Sequence, residues 1–117
     1  MGRLTTHVLD TAQGKPGAGV AIALYRRDGD RRELLGRHRT NADGRCDGPL
    51  LADAAFSAGS YELEFALGDY FAAQGLALAA PRFLDVVVLR IGIADPEAHY
   101  HVPLLASPWS YSTYRGS

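Results

Sequence analysis

Apolar residues recur at every second position over most of the chain. In YELEFAL, Tyr61, Leu63, Phe65 and Leu67 fall on one side and Glu62 and Glu64 on the other, the alternation of a half-buried strand. GVAIALYR sets Val20, Ile22 and Leu24 on one face, while FLDVVVLRIGI, residues 83–93, is nearly continuous in apolar β-branched residues and predicts a strand more fully buried. Alternating stretches at 3–10, 33–40, 98–106 and 109–114, bounded by Gly, Pro or Asp, bring the expected strands to about seven or eight. Asp28-Gly29 and Asp43-Gly44 carry the Asp-Gly signal of tight turns that need a positive φ. Only DYFAAQGLALA, residues 69–79, reads as helical, with Tyr70, Phe71 and Ala73 sharing a face, Gln74 outside and Gly75 limiting its length. Many short strands, one short helix and neither repeat nor linker predict a mainly β fold, a β-sandwich in one domain spanning residues 1–117.

Composition narrows the partners. A chain of 117 residues suits one domain with a real core, and 47% hydrophobic with 21% charged residues is not a disordered composition. The formal charge of -1, with eleven of the twelve basic residues being Arg scattered among acids, argues against nucleic acid and an anionic membrane as partners. The single Cys46 excludes an internal disulfide, so the fold needs no oxidising compartment. MGRLTTHVLD lacks a signal-peptide core and no run is long enough to span a bilayer, which makes a cytoplasmic location the expectation. Gly2 and Thr6 match a loose acylation pattern, but the same residues alternate like a strand.

Candidate chemistry is sparse. There is no Gly-rich phosphate loop, no nucleophile elbow, and no Cys pair or His-Glu-x-x-His spacing of the kind zinc favours. Histidine remains: His7 in LTTHVLD, His38 in GRHRT, and His99 with His101 in EAHYHVPLL, where the two-residue spacing on a strand points both rings to one face. Two such rings could ligate a metal, but no third ligand accompanies them, so neither metal nor cofactor is expected. Taken singly, each residue has a plain structural explanation: a strand histidine that is hydrogen-bonded, Arg45 solvated after a turn, Cys46 a small apolar filler, YSTY an edge strand.

Taken together they do not stay plain. LTTHVLD, TNADGRCDGPLL and HYHVPLLASPWSYSTYRGS resemble the transthyretin-related family, in particular its 5-hydroxyisourate hydrolase branch. GKPGAGVAIALYR and YELEFALGDYF extend the resemblance over nearly the whole chain, and the terminal YRGS, Tyr114 to Ser117, is the element that marks the hydrolases and is lacking in transthyretin. The resemblance implies a transthyretin-like sandwich of two four-stranded sheets with one short helix. It implies chains paired edge to edge into a homotetramer, a dimer of dimers with sites at the dimer interface. It assigns His7, Arg45 and His101 to catalysis and Tyr114, Arg115, Gly116 and Ser117 to the wall of the same cleft, in contact with substrate.

The implied reaction is hydrolytic opening of the ring amide of 5-hydroxyisourate to 2-oxo-4-hydroxy-4-carboxy-5-ureidoimidazoline, in urate degradation. The residue types suit it: an imidazole accepts a proton from water near neutral pH, and a guanidinium stabilises the oxyanion that develops on the carbonyl. His7 and His101 would share the proton handling, with either one as base. Arg115 alternates to the face opposite Tyr114, and His99 supports His101 or faces solvent. Two rival readings are a small-ligand carrier of the transthyretin type and a purely structural sandwich.

Overall fold

In the computed structural model, which describes residues 2–117, the alternating stretches form strands where their pattern places them. One sheet holds β1 (Arg3–Asp10), β2 (Lys15–Pro16), the two-residue β5 (Leu51–Ala52), β8 (His99–Ala106) and β9 (Tyr111–Thr113). The other runs β4-β3-β6-β7, from β3 (Ala21–Asp28), β4 (Arg31–Arg39), β6 (Gly59–Ala66) and β7 (Val86–Ile93). The four-strand path β2-β1-β8-β9 meets the expectation for the first sheet, and β5 is an addition to it. Because β8 pairs with β1 along its full length, β2 and β5 must share the opposite edge, at Leu9–Asp10 and Arg3–Leu4 respectively. All pairings are antiparallel except β1 with β8, which is parallel.

The core lies between the sheets and follows the period of two. Leu4 and Val8 on β1, Leu24 on β3, Leu63 and Phe65 on β6 and Leu104 on β8 are fully buried. Asp10 is buried with them, where one carboxylate oxygen accepts from the Gln13 amide N–H and the other from Gln13 Nε2 and the Tyr70 hydroxyl. Gly29 and Gly44 have φ of 59° and 76°, as their Asp-Gly turns require.

Three local expectations are corrected. The β7 strand is not buried on both faces: Val87, Leu89 and Ile93 point inward, while Val86 and Val88 stand exposed, because nothing among the described residues covers that part of its outer face. The helix α1 occupies Leu67–Ala73 rather than 69–79; Tyr70 and Phe71 are buried but Ala73 is exposed, and Gly75 at φ 84° turns the chain out of the helix. Glu62 lies on the outer face of its sheet as its alternation predicts, yet it is buried, because Arg27, Arg32 and Arg90 close over it at 3.0, 2.6 and 3.1 Å. Burial alone would raise that carboxyl, but the hydrogen bonds from Arg32 and Arg90 hold it below the usual range. No helix among the described residues is long and apolar enough to cross a membrane.

Candidate active site

Parity and register bring the histidines together. On β1 the residues Leu4, Thr6, Val8 and Asp10 turn into the sandwich, so Thr5 and His7 turn out. On β8, Tyr100, Val102 and Leu104 turn in, so His99 and His101 turn out. The parallel register sets Thr5 opposite His101 and Arg3 opposite His99. Residues more than ninety positions apart thereby meet on the outer face of one sheet: Thr5 Oγ1 lies 2.8 Å from His99 Nε2 and 2.8 Å from His101 Nδ1. The His7 and His101 ring centroids are 6.4 Å apart, and those of His99 and His101 6.2 Å. His38 sits on β4 in the other sheet, opposite Ile22, and takes no part.

Arg45 is delivered by a turn that docks on the free edge of β1. Asn41 folds the turn: its side-chain oxygen accepts from the amides of Asp43 and Arg45, and its own amide donates to the Arg45 carbonyl at 2.7 Å. Gly44 then presents its carbonyl to the Val8 amide at 2.8 Å, and a Cβ there would fall 2.4 Å from the Val8 carbonyl oxygen. This close approach pairs Arg45 with His7 in an isolated bridge. It also sets the Asp43 carbonyl 3.1 Å from His7 Nε2. A carbonyl can only accept, so His7 carries a proton on Nε2, and in the neutral ring Nδ1 is the bare nitrogen.

The last residues close the site from the β8 side. Gly116 donates to the His101 carbonyl at 2.7 Å and accepts from the His101 amide at 3.2 Å, with its Cα so close that an added Cβ would lie 3.2 Å from the His101 side chain. Ser117 thereby reaches the cleft, whose volume is about 550 Å³ and whose walls include Arg3, Thr5, Arg45, Cys46, His99 and His101. Arg115 points elsewhere: its guanidinium lies 4.2 Å over the Tyr100 ring and donates to the His99 carbonyl. Tyr114 is 62% exposed and stands outside the cleft walls of this single chain.

Electrostatics keep the imidazoles uncharged. Burial, Arg45 and the neighbouring His7 and His99 push His101 below its ordinary pKa. Burial and Arg45 lower His7 against the opposing pull of Asp43, and burial with Arg3 and Arg115 lowers His99. Burial and Asp47 raise the Cys46 thiol, which leaves it protonated and a poor nucleophile. No grouping of three His, Cys, Asp or Glu side chains among the described residues could hold a metal ion. The cleft therefore offers neutral proton acceptors beside guanidinium groups, a combination suited to activating water against a polarised carbonyl.

The profile of the HIUase/transthyretin family matches residues 4–116. The chain belongs to this family. It is similar to the 5-hydroxyisourate hydrolase of Ralstonia nicotianae, 62% identical over 117 residues that cover the whole of both chains. Among solved structures it is similar to (S)-allantoin synthase, at TM-score 0.94 and 49% identity over 99% of this chain; this chain spans 44% of the length of that one. It is also similar to sea bream transthyretin in complex with thyroxine, at TM-score 0.85 and 30% identity, covering 97% of this chain and 94% of that one.

Within this HIUase/transthyretin fold, Arg45, His101 and Ser117 line one cleft, His7 lies beside it, bridged to Arg45 and 6.4 Å from His101 between ring centroids, and Gly116 touches His101 through the backbone. Sequence reasoning did not single out Thr5, Arg3 or Asn41. Alternation alone puts Thr5 on the face of His7, two residues away, but its partners lie across a parallel pairing that no local pattern reveals. The role of Asn41 was foreshadowed by the Asn-x-Asp-Gly run, whose side chain suits a turn.

Proposed function

We propose that this chain hydrolyses 5-hydroxyisourate, the reaction after which its Ralstonia relative is named. The observation that carries the reading is the meeting of the His101 imidazole, Arg45 and Ser117 on the wall of one polar cleft, with a second imidazole, His7, 6.4 Å from His101 between ring centroids. Water attacks the ring amide carbonyl and gives its proton to a bare imidazole nitrogen. The new C–O bond drives electron density onto the carbonyl oxygen, where the Arg45 guanidinium stabilises it more than it did the ground state. Collapse of the tetrahedral intermediate breaks the C–N bond, and the ring nitrogen leaves with a proton returned by imidazolium. His101 is the base in this scheme. His7, held through Nε2 by the Asp43 carbonyl and bare at Nδ1, assists transfer to the leaving nitrogen. Ser117, held at the cleft by the Gly116–His101 pairing, orients the substrate.

The working unit in this reading is a homotetramer, a dimer of dimers. Support comes from the large apolar side chains left uncovered near the two terminal strands: Val86 and Val88 on β7, Tyr111 on β9 and Trp109 beside it, 41–67% exposed. Tyr114 would gain its contacts across such an interface.

Absorbance decay of 5-hydroxyisourate freshly generated by uricase, corrected for spontaneous hydrolysis, tests the reaction. Acceleration that is lost on removing residues 114–117 is the expected result. A folded protein that binds the compound and does not turn it over would instead favour a carrier, the role suggested by similarity to a transthyretin solved with thyroxine.

A further inference from the structure

Thr5 makes two short contacts with a single hydroxyl, and the proton count of that arrangement is restrictive. Its oxygen lies 2.8 Å from His99 Nε2 and 2.8 Å from His101 Nδ1. A hydroxyl has one proton to donate, and a neutral imidazole has one N–H and one bare nitrogen. If both contacts are hydrogen bonds and the hydroxyl donates to one ring, the other ring must donate to it. The two tautomers are then linked. Either His99 Nε2–H donates to Thr5 and Thr5 donates to His101 Nδ1, or the chain runs the other way.

The two directions differ at the one nitrogen that matters. In the first, neutral His101 carries its proton on Nε2 and can accept nothing from water. In the second, Nδ1–H of His101 donates to Thr5, Thr5 donates to the bare Nε2 of His99, and His101 Nε2 is free. Three features favour the second. Arg45 lines the same cleft as His101, and its positive charge is better met by a bare nitrogen than by an N–H. His99 is held neutral by burial and by Arg3 and Arg115, so a bare Nε2 is available to receive the hydroxyl proton. Finally, once His101 has taken a proton at Nε2, its Nδ1–H already has an acceptor, so no group need turn during the reaction.

We propose that Thr5 is a positioning residue which, through its paired contacts with His99 and His101, fixes His101 as the Nδ1–H tautomer with Nε2 free to act as the general base. This rests on the hydrolase reading above, which supplies the need for a base, but the tautomer itself is a property of the resting protein. His99 serves as the proton acceptor that orients the hydroxyl and does not touch the reacting atoms.

The test combines long-range proton–nitrogen NMR of the histidine rings with steady-state kinetics, on wild type, Thr5→Val and Thr5→Ser. In wild type the His101 Nδ1 should resonate as protonated and Nε2 as bare. Thr5→Val is nearly isosteric and should move both resonances toward a mixture of tautomers. It should also lower kcat by about 10- to 100-fold with KM little changed, the size expected for a misaligned catalytic group. Thr5→Ser should restore both signals and rate. A wild-type His101 protonated on Nε2, or a Thr5→Val enzyme within twofold of normal kcat, overturns the proposal. Should wild type show no turnover, the hydrolase reading fails while the nitrogen shifts still decide the tautomer. If Thr5→Val proves unfolded, His99→Phe, which removes the acceptor from the far end, is expected to give the same loss in kcat, and an unchanged kcat in that variant likewise overturns the proposal.

Discussion

A base works only while it is unprotonated, and three imidazoles in and beside this cleft are held below the ordinary histidine value of 6.5. Turnover should therefore rise with pH along a limb whose midpoint lies below about 6.5 and be level at neutrality. A midpoint above 7 in kcat/KM would contradict this. Replacing His101 by Asn keeps the size and removes the acceptor, so kcat should fall by about 10² to 10⁴ while the fold persists, as read by circular dichroism alongside the absorbance assay. The same imidazoles bear on stability. In the unfolded chain they protonate at their ordinary value, before the folded ones do, so on acidification the unfolded state takes up protons first and gains. The urea midpoint should be lower at about pH 5.5 than at about pH 7.5, and a higher midpoint in acid would refute the neutral-imidazole picture.

At the scale of elements, the site is built by two glycine contacts against strands. Gly44 combines a φ of 76° with a Cβ position only 2.4 Å from the Val8 carbonyl, and no flexible side chain is there to give way. Gly44→Ala should cost about 1–3 kcal/mol in stability, and because the displaced turn carries Arg45, activity should fall more than stability does. Thermal unfolding and kinetics on one sample separate the two effects. Gly116 is tight against His101 at 3.2 Å but has an ordinary φ, so alanine there should leave unfolding nearly unchanged and act on turnover by shifting the His101 ring or lifting Ser117. The Asp-Gly signal made the first of these elements legible in the sequence. The second could not be read locally, since Gly116 matters for what it touches fifteen residues back. Strand faces on β1, β3, β6 and β8 were legible for the same reason that they are stable, a period of two with one face in the core. The β7 strand misled because an apolar run does not say whether its second face is covered by the same chain.

For the whole molecule, the exposed Val86, Val88, Trp109 and Tyr111 imply association. Sedimentation velocity should give about four times the mass of the 12.6 kDa chain at micromolar concentration, and a persistent monomer would remove the dimer-of-dimers arrangement. What the sequence left illegible at this scale is the pairing itself, because the partners of β1 are β8 on one side and β2, the Arg45 turn and β5 on the other. The resemblance to a family supplied what periodicity could not: that His7, Arg45 and His101 belong to one place. The parallel β1–β8 pairing also sets a timetable. Strand β1 precedes every strand of the other sheet in the chain, yet its long-edge partner follows them all, so β3, β4, β6 and β7 can join while β1 waits. In refolding, amides of β3 and β6 should become protected from exchange before those of β1, and catalytic competence should arrive last, with no partly active species on the way.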